Sequence, residues 1–100
     1  MRIIVITSDI AHHSGTAKLK TDMIVECIED DNDTLTYGDA CLSIARPDGS
    51  KMDVEQLAED NTDIITTSET KPADFMAQKY LWQGSVFVLD PAWVAPAWAA

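Results

Sequence analysis

The sequence predicts an α+β domain, mainly β: a small barrel or sandwich of short antiparallel strands with one late helix and an extended C-terminal arm. Three observations predict it. Apolar residues recur in short runs, several with the two-residue alternation of a half-buried strand. Gly, Pro, Asn and Asp punctuate these runs along the chain. Helical spacing with a convincing start signal occurs in one place, near Lys71. The helix is expected to cover an open edge or end of the β structure.

The elements follow in order. Arg2 to Thr7 is apolar on consecutive positions (Ile3-Ile4-Val5-Ile6), which predicts a strand buried on both faces. Ser8 to Thr16 reads as a loop, with His12-His13 inside it and Gly15 as a turn residue. Met23 to Ile28 reads as a strand with Met23, Val25 and Cys27 on one face and Ile24, Glu26 and Ile28 on the other. Glu29-Asp30-Asp31-Asn32-Asp33 breaks that run, and Thr34 to Tyr37 alternates again before Gly38. Ala40 to Arg46 alternates with Ala40, Leu42 and Ile44 on one side. Pro47-Asp48-Gly49-Ser50 is a hairpin turn: Pro fixes the first central φ, Asp favours the second, and Gly accepts the positive φ that follows.

Lys51 to Leu57 reads as the returning strand. A competing reading makes Asp53 to Glu59 a short helix, because Asp53 and Gln56 resemble a capping box. Asp63 to Thr67 is a further short strand. At Lys71, Thr70 is suited to cap, Pro72 needs no N–H partner in a first turn, and Asp74 lies beside the positive end of a helix dipole. Ala73, Met76, Ala77, Tyr80 and Leu81 then share one helical face with Phe75 at its margin, and Gly84 ends the helix. Ser85 to Leu89 is the last strand. The chain is thus one small domain, 1–89, followed by an arm, 90–100.

A chain of 100 residues with 46% apolar content is long enough for one modest core. Cys27 and Cys41 fit neither a redox pair nor a zinc knuckle, and they read as small core residues, with one disulfide geometrically open. The apolar run at the N-terminus is too short for a secretory leader or a membrane span, so synthesis in the cytoplasm is expected. Net charge is −10, and thirteen of the seventeen acids lie between Asp22 and Asp63, against Arg46 and Lys51 alone. Direct nucleic-acid binding needs clustered bases, and an anionic membrane repels such a surface, so neither is expected.

No catalytic constellation emerges. The acidic run fails as an EF-hand: counted from Glu29, the sixth position is Thr34 and the twelfth Ala40. Adjacent His12 and His13 point apart on an extended segment, and no spaced Cys/His set accompanies them. Both cysteines lie in strand-like apolar runs that disfavour the thiolate. No metal, cofactor or catalytic residue is therefore expected, and the chain reads as a non-enzyme. The acids do permit imitation of a nucleic-acid backbone, with Asp48, Asp53, Glu55, Glu59, Asp60 and Asp63 as an acidic face beside the 29–33 turn. Solubility alone also accounts for them.

The arm, Asp90-Pro91-Ala92-Trp93-Val94-Ala95-Pro96-Ala97-Trp98-Ala99-Ala100, holds two of the three tryptophans and no base. Pro96 bars a regular helix across it, and a solvated tail is normally polar. Docking is expected, either back on the arm's own domain or on a neighbour, with Trp93, Val94 and Trp98 as anchors. Pro91 and Pro96 limit the entropy lost on docking. A buried interface tryptophan is worth about 2 kcal/mol or more.

The stretch from His13 to Glu26 resembles the opening of small SH3-like proteins among the head and neck proteins of tailed phages. Gly15, Asp22 and Ile24-Val25-Glu26 fit that pattern, whereas Leu19 stands in the aromatic position and Lys20-Thr21 in place of Pro-Gly. The resemblance spans fourteen residues and implies no catalytic residue. It implies a virion subunit, such as a capsid cement, decoration or head–tail connector protein, whose partners are other virion subunits or further copies of itself. The alternative left by the acids is an inhibitor that mimics nucleic acid, such as a phage anti-defence protein.

Overall fold

A computed structural model describes residues 1–11, 18–39 and 41–95. The fold is all-β, with no helix among the described residues. The central sheet has strand β1 (Arg2–Ile6) between β4 (Ile24–Ile28) and β8 (Thr62–Thr66), all antiparallel. A meander of β5 (Thr34–Gly38), β6 (Cys41–Ala45) and β7 (Lys51–Glu55) forms a second sheet. The hairpin of β9 (Tyr80–Gln83) and β10 (Val86–Leu89) forms a third. A minimal ribbon pairs β2 (Ile10–Ala11) with β3 (Lys18–Leu19).

The uninterrupted apolar run of β1 works because the strand is covered on both faces. Ile4 and Ile6 join Leu42, Ile44, Ile28 and Leu57 in a core against the β5–β6–β7 meander. Ile3 and Val5 join Ile24 and Cys27 in a second core, over which Phe75, Tyr80, Trp82 and Phe87 are packed. The two cores make three layers, with the central sheet in the middle. Among the described residues no sheet closes on itself, so of the expected barrel or sandwich with a covering helix the structure shows stacked open sheets and no barrel.

The expected helix from Lys71 is also replaced. Residues 71–79 form turns closed by Phe75 N–H to Pro72 C=O (3.0 Å) and Lys79 N–H to Met76 C=O (3.1 Å). Gln78 has a φ of +72°, incompatible with a right-handed helix, and its N–H donates to Ile24 C=O across the fold. Two strands cover the second core face better than one helix: Tyr80 and Trp82 on β9, with Phe87 on β10, line one side at period two. Gly84 and Ser85, with φ of +63° and +62°, form the two-residue turn. Positive φ at both positions matches the twist of a tight hairpin.

Two further differences are local. Ile4 pairs with Glu26 but Val5 with Ile24, so Val25 is an extra residue in β4. That bulge shifts the pleat and puts Cys27 on the face of Ile24, not on that of Met23 and Val25. The short helix considered for Asp53 to Glu59 is instead the end of β7 and a turn. Gln56 takes a φ of +70° and delivers Leu57 into the core, where it is fully buried. Asn61 locks this turn by donating to Gln56 C=O (3.0 Å) and accepting from Ala58 N–H (2.8 Å). The Pro47 turn forms with Gly49 at φ +90° and Gly49 N–H bonded to Arg46 C=O (3.0 Å).

Candidate interaction surface

The β9–β10 layer differs from the rest of the molecule in both packing and charge. A hairpin is too narrow to bury its aromatic face fully, so Phe75, Tyr80, Trp82 and Phe87 remain half-buried. Their rings form a connected cluster. Phe75 stacks on Tyr80 at 6.3 Å, and Tyr80 and Trp82 meet Phe87 edge-on at 6.2 and 5.4 Å. Beside them Val86 is 42% and Leu89 54% exposed.

Three acids around this layer are paired with lysines, whereas Asp22, which accepts from Gln83 Nε2 (3.4 Å), has no lysine partner among the described residues. Lys79 pairs with Asp74 (2.9 Å), Lys20 with Asp90 (2.9 Å) and Lys71 with Glu29 (4.0 Å). Asp74 is held below the usual carboxylate range, chiefly by the Tyr80 hydroxyl and then by Lys79, and it raises the Tyr80 phenol in return. Lys79 also lies over the Trp93 ring at 4.7 Å, a cation–π contact made by a side chain that is 14% exposed.

The root of the C-terminal segment is fastened here. Asp90 is only 5% exposed, and its N–H donates to Lys79 C=O (3.0 Å). Its carboxylate takes Lys20 Nζ and the Ala92 N–H (2.9 Å), and both, Lys20 first, hold it in the ionised form. Trp93 N–H returns to Asp90 C=O (3.1 Å), so residues 90–93 form a turn. Of the residues expected as anchors, Trp93 is therefore engaged by its own domain, Pro91 is exposed, and Val94 projects with 82% exposure. Pro96 and Trp98 lie outside the described residues. Lys20 and Lys79 belong to this site, and nothing local in the sequence at either position signals a distant carboxylate or indole.

The expected acidic face is divided. Asp53 and Glu55 lie on the outer side of β7, where Asp53 accepts from the Ser43 hydroxyl (2.6 Å) and is held low by it. Asp48 sits in the β6–β7 turn and is held low by the Ser50 hydroxyl and N–H. Glu59 and Asp60 are exposed in the next turn. Asp63 belongs to β8 in the central sheet, and period-two alternation puts it on the side of Ile65, away from the meander. The turns do approach one another elsewhere: Asp30, Asp33, Arg46, Pro47 and Asp48 line an open cleft of about 350 Å³. Arg2 braces the 30–33 turn by donating to Asp33 C=O (2.6 Å) and Asp30 C=O (3.1 Å).

Cys27 and Cys41 are free thiols. Burial pushes the Cys27 thiol up to about 11, which keeps it protonated and unreactive at neutral pH. His12 and His13 lie outside the described residues. Among the described residues, no group of three or more His, Cys, Asp or Glu is placed to hold a metal ion, and no helix is long and apolar enough to cross a membrane. No family model, curated protein or solved structure matches the chain.

Proposed function

We propose that this protein is a non-enzymatic structural subunit that clamps a neighbouring protein through its C-terminal segment, residues 90–100. The tailed-phage particle is the assembly that the resemblance of residues 13–26 implies, with a cement, decoration or head–tail connector role. One observation carries the reading: Val94 is 82% exposed immediately after a root pinned by Asp90 and Trp93. A fixed root lowers the ordering cost of whatever follows it, so an apolar residue launched from that root is suited to docking. In this reading Val94 and Trp98 are the anchors toward the partner, Pro96 stiffens the chain between them, and Trp93 holds the base.

The test compares the full chain with Val94→Asp and Trp98→Ala in pull-downs from native lysate at low and high salt. A salt-resistant, stoichiometric partner that both substitutions remove is the expected result. Retention of that partner by both variants refutes the clamp. The substitutions leave Asp90 in place, because removing it would also unpair Lys20.

A second reading, an acidic inhibitor that occupies a basic nucleic-acid groove, draws on the cleft where Asp30 and Asp33 meet Asp48. Its partner would be released by salt, and Asp48→Lys with Asp53→Lys would weaken binding more than loss of Trp98. Unchanged binding after both reversals removes this reading.

A further inference from the structure

We infer that strand β10 is a self-association edge, where two copies of this chain join antiparallel into one continuous sheet, β9–β10–β10–β9. This goes beyond the clamp and stands on different residues.

The first ground is the backbone. Asp90 N–H bonds inward to Lys79 C=O, and hydrogen-bonded positions alternate along an antiparallel pair. Val86 and Val88 therefore bond to β9, while Phe87 and Leu89 turn their N–H and C=O outward. Among the described residues, no group outside β9 bonds to the backbone of Phe87 or Leu89. Open groups on a sheet edge select an extended strand.

The second ground is how the other edges are protected. Strand β7 carries Lys51, Asp53 and Glu55, β8 carries Asp63, and β5 is bracketed by Asp33 and Asp39. The outer side of β4 is partly occupied by the Met23–Leu81 bridge and the Gln78 N–H. Strand β10, Val-Phe-Val-Leu, has no charge and no proline, and no bulge interrupts its pairing with β9. These are the devices that normally discourage edge pairing, and β10 lacks all of them.

The third ground chooses the occupant. Two chains of net charge −10 repel over most of their surfaces. Beside β10 the acids Asp74 and Asp90 are each matched by a lysine, so two copies meet there with reduced repulsion. The edge is also self-complementary. With Val88 on a two-fold axis, Phe87 of each copy faces Leu89 of the other, and both outward pairs of backbone groups are used. Leu89 then loses its exposure beneath the opposing Phe87. Pro91, the next outward position, has no N–H to offer and ends the pairing.

Sedimentation equilibrium on the purified full chain tests this, and variants at Leu89, which leave Val94 and Trp98 in place, separate the edge from the clamp. The expected mass rises from 11.0 kDa toward twice that value across the micromolar range. Added NaCl should strengthen the dimer, because it screens repulsion and leaves strand pairing intact. Leu89→Lys places a charge on the edge, and Leu89→Pro removes an outward donor without touching the β9 ladder. Both should remain monomeric with wild-type circular dichroism. In the wild type, exchange of the Phe87 and Leu89 amide protons should slow as concentration rises. A wild-type monomer at every concentration, or a dimer that both variants retain, overturns the inference.

Discussion

Replacing Asp90 should loosen the C-terminal root by an amount that the local geometry bounds. The carboxylate is 5% exposed and accepts from Lys20 Nζ and the Ala92 N–H, each at 2.9 Å. Charge-assisted hydrogen bonds of this kind are worth about 1.5–3 kcal/mol, whereas a fully exposed pair is worth less than about 1 kcal/mol. Lys20 has a side chain 44% exposed, so solvent screens part of the attraction and the lower range applies. Asp90→Ala is therefore expected to cost about 1–2 kcal/mol, a fall in Tm of roughly 5–10 °C for a domain of this size. Asp90→Asn keeps an acceptor for Ala92 and should lose about half as much.

The pH dependence has a definite sign. The folded carboxyl titrates below its ordinary value because Lys20, and then the Ala92 N–H, favour the charged form. Its stabilisation is complete above the unfolded value, about 3.9, and disappears as pH falls through the folded one. Thermal unfolding of wild type and both variants from neutral pH to about pH 2 is the assay, with the Trp93 indole resonance reporting the root directly. Equal Tm values at neutral pH refute the bound pair, and a gap that persists unchanged at the acid limit refutes its electrostatic origin.

Three further outcomes are expected. Leu57→Ala empties a fully buried site between the central sheet and the meander, and should cost about 2–5 kcal/mol in chemical denaturation. Gly84→Ala meets no atom within 4 Å but must adopt φ +63°, so its cost of about 1 kcal/mol in the same assay is purely backbone strain. In the folded protein at pH 8, a thiol reagent should modify Cys41 and spare Cys27, whose thiol is pushed up to about 11; labelling of both at equal rates contradicts its burial.

What was legible in the sequence depended on how local the cause was. The β1 run, the alternation of Thr34 to Tyr37 and the Pro47-Asp48-Gly49 turn are decided by neighbouring residues, and their elements lie where the pattern placed them. The sequence reads as a helix from Lys71 because Met76, Tyr80 and Leu81 share a helical face, but Tyr80, Trp82, Phe87 and Leu89 equally fit a hairpin. Gly84 is equally suited to ending a helix and to opening a two-residue turn with Ser85. Burial of the Ile3, Val5 and Ile24 face decided for the hairpin, and that requirement is tertiary. The bulge at Val25 has no local signature, so simple alternation puts Cys27 on the wrong face. At the candidate site, Trp93 and Val94 were conspicuous by composition. The ties that separate their roles, Lys20 to Asp90 and Lys79 to Trp93, depend on chain distant from the arm or on the fold of the turn before β9.

Packing and charge converge on the same layer for a physical reason. The central sheet offers two apolar faces, and the meander covers one with three strands while the hairpin covers the other with two. A two-stranded cover leaves aromatic edges half in water, and unpaired charge beside those edges would lose hydration on any further contact. Lysines drawn from three separate stretches, Lys20, Lys71 and Lys79, are each matched to an acid around that layer. Several acids without such partners, among them Glu55, Glu59 and Asp60, lie in the meander and its connections, where they are exposed. Contact between copies or with a neighbour is thereby discouraged over the acidic layer and least opposed at the hairpin and its emerging arm. An acid substituted for Leu89 or Val94 would extend repulsion to the one apolar margin that now lacks it, which is why those two positions separate the edge and the clamp from simple solubility.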